Sequence, residues 1–304
     1  MSKLRDWVRV KIKRFAHRYG YDIVNTKQHG EKGFQFVTHP LDAFYSGRPI
    51  DESPLHVALW KCSNYTGLTY GAKGWHPFVE TLNRYQSRPT SYEDSVLKSY
   101  YDTWKPSNAA EAFITFRNPP EAFELEPSYA FVSPWHTISI SDRKSKIAYN
   151  VRTENQDMGH VSVGIEEGFG LHGPVSELKG NVEFERLIST LNSVEQQGYR
   201  LDSIHDLIEG FALLDQKEED FRIIVVHGNH RLAALTALEF EKAPIRLVPP
   251  YVVRSCDVAR WPQVKSGLWQ EQQAITYFDS FFEARDRIRK WAQSKSLIAT
   301  QVRT

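Results

Sequence analysis

A buried strand, a glycine turn and a helix follow one another in the most informative segment of this 304-residue chain. The apolar run at 221–226 predicts an interior strand, and a helix is expected directly after the turn. The turn itself reads His227, Gly228, Asn229, His230 and Arg231. Because the first amides of a helix lack internal partners and the helix dipole adds positive potential there, this turn can bind an anion.

The side chains of the turn suit phosphate. Gly228 lets the backbone approach a ligand closely and can adopt a positive φ. Arg231 offers a planar fork to phosphate oxygens, and His227 and His230 can donate hydrogen bonds or carry protons near neutral pH. The alternative interpretation, a surface loop with two incidental histidines, remains open from spacing alone.

Carboxylates and a lysine upstream extend the candidate site. Phosphoryl transfer needs positive charge on the transferring group and a base or positioning residue for the acceptor hydroxyl. The candidate catalytic residues are therefore His227, His230, Glu183 and Glu185. The candidate ligand-binding residues are Gly228, Asn229, His230, Arg231 and Lys179. For both glutamates the alternative is favourable helix chemistry, since acids stabilise a first turn. No His-Glu-x-x-His or Cys-x-x-Cys pattern occurs, so no metal site is predicted.

The elements that would position these residues follow from hydrophobic periodicity. A helix is expected from Gly180 or Asn181 to a stop at Gly198, and 199–214 is expected to be a short strand or turn followed by loop. A strand at 244–248 would complete a strand–helix–strand crossover after the turn. A long helix is expected at 270–294.

The segment 224–235 resembles the signature of the ParB/sulfiredoxin superfamily, in which a strand enters a Gly-x-x-Arg turn and an alanine-rich helix. The stretch from Gly173-Pro174 to Gly198 is similar to an earlier box of that family. The resemblance covers 173–253 only. It implies binding of nucleotide phosphates at the Gly-x-x-Arg turn, as in CTP-binding partition proteins, an ATP-using sulfinic-acid reductase and kinases of free serine.

Departures from the family narrow what the resemblance implies. Asn229 and His230 leave no cysteine in the turn, which disfavours sulfinic-acid reduction. No helix-turn-helix is recognisable and the net charge is +1, which disfavours DNA partition and a nucleic-acid partner. The kinases of free serine resemble this turn most closely, although His227 stands where those enzymes typically have aspartate. The implied cofactor is ATP or ADP rather than CTP, with Mg²⁺ as a possible companion.

The first twenty residues form a basic amphipathic pattern, with seven Lys or Arg side chains against Asp6. This segment predicts a helix that either docks on its own domain or contacts an anionic membrane surface at the inner face of the membrane.

Residues 21–118 predict an aromatic-rich helical and irregular region, with helices at 78–85 and at 91–104, the latter capped by Ser91. Strands are expected at 112–116, 137–141, 147–151 and 160–164, the middle two forming a hairpin.

Composition sets the broad class. The chain is 41% hydrophobic and 25% charged, and its two cysteines share no metal-ligand spacing, which favours a cytoplasmic protein without a disulfide framework. The expected fold is α+β: a ParB/sulfiredoxin-like mixed sheet with helices at 119–255, and a C-terminal helical segment at 256–304. The leading functional hypothesis is a nucleotide-dependent phosphotransferase acting on a small hydroxylated metabolite. The alternatives are a non-catalytic nucleotide-binding switch and a ParB-like DNA-associated protein, and the oligomeric state is left open.

Overall fold

The computed structural model describes residues 34–298 except for six internal positions. The undescribed positions in that range are Ala72, Met158, Val161, Asp202, Ile204 and His205. The expected amphipathic helix at 1–20 lies outside the described residues. None of the described helices combines the length and the apolar character needed to cross a bilayer.

A five-stranded mixed sheet forms the centre of the fold. In chain order its strands are β1 (Leu55–Ala58), β2 (Cys62–Ser63), β3 (Ile208–Leu214), β4 (Phe221–His227) and β5 (Lys242–Arg254). Their spatial order is β1-β5-β3-β4-β2. β3 pairs antiparallel with β4 and parallel with β5, β1 pairs antiparallel with β5, and β2 pairs parallel with β4. The expected α+β class is confirmed, and the sheet draws strands from both sides of residue 118.

Eight α-helices are present in the described part of the chain. They are α1 (Asp42–Tyr45), α2 (Pro77–Ser87), α3 (Val96–Thr103), α4 (Ile140–Asp157), α5 (Glu177–Gln197), α6 (Asn229–Ala237), α7 (Pro262–Lys265) and α8 (Glu271–Ser294).

The central strands are apolar on both faces because the sheet is covered on both sides. Ile223 and Val225 of β4 belong to one buried cluster, while Ile224 belongs to the other. Successive side chains of a strand point to opposite faces, so a continuous apolar run is required here. Helices α2, α3, α5 and α6 contribute to the first cluster, and α8 contributes to the second with its N-terminal half and to the first with Ile288 and Ala292.

Several expected elements are confirmed. Helix α2 contains the expected 78–85, β4 contains 221–226, and α8 matches 270–294 within one residue. Helix α5 ends at Gly198 as expected, but it begins near Glu177, because the Ser176 side chain caps it by accepting from the Lys179 amide at 3.1 Å. Helix α3 is capped by Ser95 rather than Ser91 and is correspondingly shorter than expected.

The predicted hairpin at 137–151 is wrong, since α4 occupies most of this segment. Ser139 Oγ accepts from the Asp142 amide at 3.0 Å, which starts a helix where a strand was expected. Ile147 and Val151 are buried four residues apart, which is the spacing of one helix face.

The strands predicted at 112–116 and 160–164 are also wrong. Residues 112–116 are irregular, with Phe113 and Phe116 buried in the second cluster, and the described residues of 160–164 form no strand. Conversely, β3 lies within 199–214 and occupies the middle of the sheet. It lies between β4 and β5, antiparallel to β4 and parallel to β5. The expected strand–helix–strand unit therefore does not join two neighbouring parallel strands.

Candidate functional site

A cavity of about 800 Å³ opens where β4 ends. Its wall combines the turn after β4 with one face of α4, part of α5, and the loop that follows β2. All five residues of the predicted turn line it, from His227 to Arg231. A volume of this order suits a ligand the size of a small metabolite or nucleotide.

Gly228 places the backbone of the turn. It has φ +93° and ψ 22°, in the left-handed region, and it is the N-cap of α6 without a side-chain capping bond. A side chain at this position would be strained by the positive φ, and its Cβ would lie 3.1 Å from Ile208 Cγ1. Glycine is therefore required for β4 to turn directly into α6.

The Asn229 side chain is held by a residue of the aromatic-rich region that precedes α2 in the chain. The Tyr70 hydroxyl donates to Asn229 Oδ1 at 2.8 Å. Tyr70 is fully buried and stacks on His76, with ring centroids 4.4 Å apart. This contact joins the N-terminal part of the fold to the turn.

Arg231 lines the cavity and also holds the turn against β3. Its Nη1 donates to the Asp206 carbonyl, and its Nη2 donates to the Leu207 carbonyl at 3.3 Å. At least two of the five N–H groups of the guanidinium are thus used within the fold. Arg231 therefore holds the segment that leads into β3 by hydrogen bonds, a role that the sequence did not indicate.

Buried Glu183 and partly buried His230 form a pair beside the turn. Glu183 Oε2 is 2.9 Å from His230 Nε2, and Glu183 Oε1 accepts from the Lys179 ammonium. The ammonium also donates to Asn155 Oδ1 at 2.7 Å. Burial alone would raise the pKa of Glu183, but the hydrogen bond from His230 and the charge of Lys179 outweigh it and hold the pKa below its usual range.

The pair defines which nitrogen of His230 is basic. Burial lowers the pKa of His230, more than its contact with Glu183 raises it, so the ring is neutral near pH 7. A carboxylate only accepts hydrogen bonds, so the proton of the neutral ring lies on Nε2 and the lone pair on Nδ1. The ring of Phe78 stacks on His230 with centroids 4.8 Å apart and fixes its plane. This arrangement can accept a proton.

Three further cationic side chains line the cavity, and the sequence analysis did not single them out. Arg143 and Lys146 come from α4 and Arg186 from α5. Arg186 Nη1 lies 3.5 Å from Glu154 Oε2, which links the two helices. The sequence did contain a pattern that would have placed Arg143 and Lys146 together, because positions 143, 146, 150 and 154 are spaced to share one face of a helix. This pattern was missed because a hairpin was expected at these residues.

Other expected site residues lie away from the cavity or at its edge. His227 is exposed and lines it from the end of β4. Lys179 is 2% exposed, is committed to Glu183 and Asn155, and does not line the cavity. Glu185 is exposed and lines a separate shallow groove with Tyr85. The structure therefore brings the turn and Glu183 together at the cavity, keeps Lys179 bound to Glu183 but outside the cavity lining, and places Glu185 at the separate groove.

No protein-family model, no curated protein and no solved structure matches this chain. Within the described residues, no group of three or more His, Cys, Asp or Glu side chains is arranged to hold a metal ion.

Proposed function

We propose that the protein is a nucleotide-dependent phosphotransferase acting on a small hydroxylated metabolite. The observation that carries the proposal is the position of Gly228 and His230: the phosphate-suited turn and the Glu183–His230 pair line one cavity. The resemblance of this turn to the Gly-x-x-Arg turn of the ParB/sulfiredoxin superfamily supports the same assignment, with ATP or ADP as phosphoryl donor.

Donor phosphates would be bound at the start of α6. The left-handed Gly228 exposes the N-terminal end of the helix, where no side chain caps the amides. Arg186 and Lys146 line the same cavity and supply positive charge. Because these charges lie in a partly enclosed cavity, they act more strongly on a phosphate than they would at the open surface.

His230 would act as the base, oriented by Glu183. The acceptor hydroxyl oxygen attacks the terminal phosphorus as the bond to the bridging oxygen breaks. The hydroxyl proton passes to His230 Nδ1, and the bridging oxygen leaves with the electron pair on the shortened nucleotide. Glu183 stabilises the resulting imidazolium through Nε2, and Lys179 keeps Glu183 ionised. Both carboxylate oxygens are thus used for positioning.

The test combines binding and turnover. Thermal shifts are measured with ATP, ADP and CTP, with and without Mg²⁺, and nucleotide consumption is followed with glycerol, glucose, inositol or gluconate as acceptor. We expect ATP or ADP to raise the Tm, and release of the shortened nucleotide to depend on an acceptor. His230→Gln should keep the Tm shift and lose turnover, whereas His160→Gln, outside the cavity, should keep both. Absence of any nucleotide shift would refute the proposal, and binding without acceptor-dependent turnover would favour a nucleotide-binding switch.

A further inference from the structure

A buried cation without a carboxylate partner among the described residues lies on the α4 side of the cavity. Arg143 is 9% exposed and lines the cavity, yet its Nε has no hydrogen-bond partner. No carboxylate among the described residues lies within ion-pair distance of its guanidinium. Its contacts are with aromatic rings: the guanidinium carbon is 5.5 Å from the Tyr65 ring centroid and 5.8 Å from that of Phe131.

Two neutral donors near Arg143 are also unpaired. Asn64 Oδ1 accepts from the Thr66 amide at 3.0 Å, the Thr66 hydroxyl at 2.8 Å and the Leu68 amide at 3.0 Å. These three bonds fix the orientation of the Asn64 amide, and its Nδ2 is buried without a partner. The indole Nε1 of Trp135 is likewise buried and unpaired. Asn64 and Trp135 both line the cavity.

Tyr65 joins these donors into one cluster. It follows Asn64 in the chain, its ring contacts the Arg143 guanidinium, and its centroid lies 5.6 Å from that of His136, the neighbour of Trp135. The rings of Tyr65 and Trp135 each lie 6.1 Å from Phe211 of β3. We refer to Asn64, Trp135 and Arg143 as the donor cluster.

The donor cluster is displaced from the Glu183–His230 pair along α4. Glu154 of α4 contacts Arg186 of α5, and Arg186 lies about one helical turn after Glu183. This contact marks the end of the cavity that holds the Glu183–His230 pair. Arg143 precedes Glu154 by three helical turns on α4. Asn64, by contrast, follows Ser63, which pairs with Ile224 four residues before Gly228, so the donor cluster extends from α4 towards the turn. Along α4 the cavity therefore has two polar ends, with the apolar side chains of Ile147 and Val151 between them on the same helix.

A buried cation without a counter-ion and two unpaired buried donors are unfavourable for folding, and a negatively charged hydrogen-bond acceptor would reduce these penalties. We propose that the donor cluster binds the carboxylate of the acceptor substrate, which is thereby a hydroxylated organic acid. One guanidinium flanked by neutral donors matches the single charge and planar shape of a carboxylate. This inference rests on the proposed phosphotransferase function, and it defines the substrate class for that site.

The experiment compares acids with their uncharged counterparts by isothermal titration calorimetry and thermal shift. The pairs are gluconate with sorbitol, glucuronate with glucose, and lactobionate with lactitol, and sodium phosphate at equal ionic strength serves as a second oxyanion. The variants are Arg143→Gln and, as a matched control on the exposed face of α4, Arg152→Gln. Arg143→Lys keeps the charge but not the planar fork, and circular dichroism establishes that each variant is folded.

We expect at least one acid to bind the wild type and its neutral counterpart not to bind. Arg143→Gln should raise the Kd of that acid at least tenfold, Arg143→Lys should raise it by less, and Arg152→Gln should leave it unchanged. The Tm shift caused by ATP should persist in Arg143→Gln.

Three results would overturn the inference: no acid binds, the acid binds Arg143→Gln as tightly as the wild type, or phosphate replaces every acid as the Arg143-dependent ligand. Loss of the ATP shift in Arg143→Gln would also overturn it, by assigning the cluster to the nucleotide. A wild type that binds the acid but no nucleotide would refute the proposed function and leave the carboxylate subsite standing.

Discussion

The hydroxyl of Tyr70 donates to Asn229 Oδ1 at 2.8 Å, although the two residues are 159 positions apart in the chain. Asn229 is the first residue of α6 and part of the turn that lines the cavity. The aromatic region before α2 therefore acts directly on the orientation of the proposed phosphate site.

Tyr70→Phe should weaken ligand binding at the turn. The change keeps the ring stacked on His76 and removes only the bond to Asn229, so we expect the free energy of unfolding to fall by about 1 kcal/mol. The Tm shift caused by nucleotide should also decrease. Thr236→Val, which removes a hydroxyl bond at the other end of α6, is the control and should leave the shift unchanged. An undiminished shift in Tyr70→Phe would show that Asn229 needs no support.

Gly228→Ala should be more harmful than a comparable glycine substitution elsewhere. Both Gly228 and Gly267 have positive φ, but a Cβ at Gly267 meets no atom within 4 Å, whereas one at Gly228 meets Ile208 at 3.1 Å. We expect Gly267→Ala to cost about 1 kcal/mol and to retain ligand binding. Gly228→Ala should cost more and abolish the nucleotide shift. Urea denaturation and thermal shift measure the two effects, and equal behaviour of the variants would contradict this account of the turn.

Glu183→Gln should destabilise the protein strongly, because it leaves the Lys179 ammonium buried without its carboxylate. Breaking one side of a buried ion pair costs about 3 to 5 kcal/mol. Adding Lys179→Met should restore much of this loss without restoring turnover, since His230 then still lacks its orienting carboxylate. Glu185→Gln on the exposed side of the same helix is the control. A double variant as unstable as Glu183→Gln alone would mean that the charge pair is not the cause.

His76 should make stability depend on pH. It caps α2 by accepting from the Phe78 amide at 3.2 Å, and burial lowers its pKa to about 3. Below pH 6.5 the unfolded chain binds a proton that the folded chain does not, so this contribution to stability falls as the pH drops from about 6.5 towards 3.

The variant His76→Asn keeps a capping oxygen and removes the titration. Between pH 6 and pH 5, urea denaturation should show the wild type losing about 1 kcal/mol more than the variant, since each unit of unmatched protonation corresponds to about 1.4 kcal/mol. Parallel profiles for the two proteins would exclude His76 as a source of the pH dependence.

Local patterns predicted the elements whose stability depends on their own residues. The apolar run of β4 followed by Gly228 indicated a strand that turns into a helix, because a strand buried on both faces must be apolar throughout and glycine alone tolerates the turn. The periodic stripe of α8 likewise indicated its length. The alternation around Ile138 and Ile140 misled, because a short alternating stretch fits a strand as well as the start of a helix. The cap at Ser139 decides between the two.

The amino-acid sequence by itself determined the α+β class, the helices α5 and α8 and the turn from β4 into α6, since these follow from side-chain periodicity and backbone freedom. Only the tertiary structure decided that β3 lies in the middle of the sheet, that Arg143 lines the cavity and that Lys179, itself outside the cavity lining, pairs with Glu183. These features depend on contacts between residues far apart in the chain or on different elements. Burial and charge pairing at such contacts are set by packing, which no local spacing encodes.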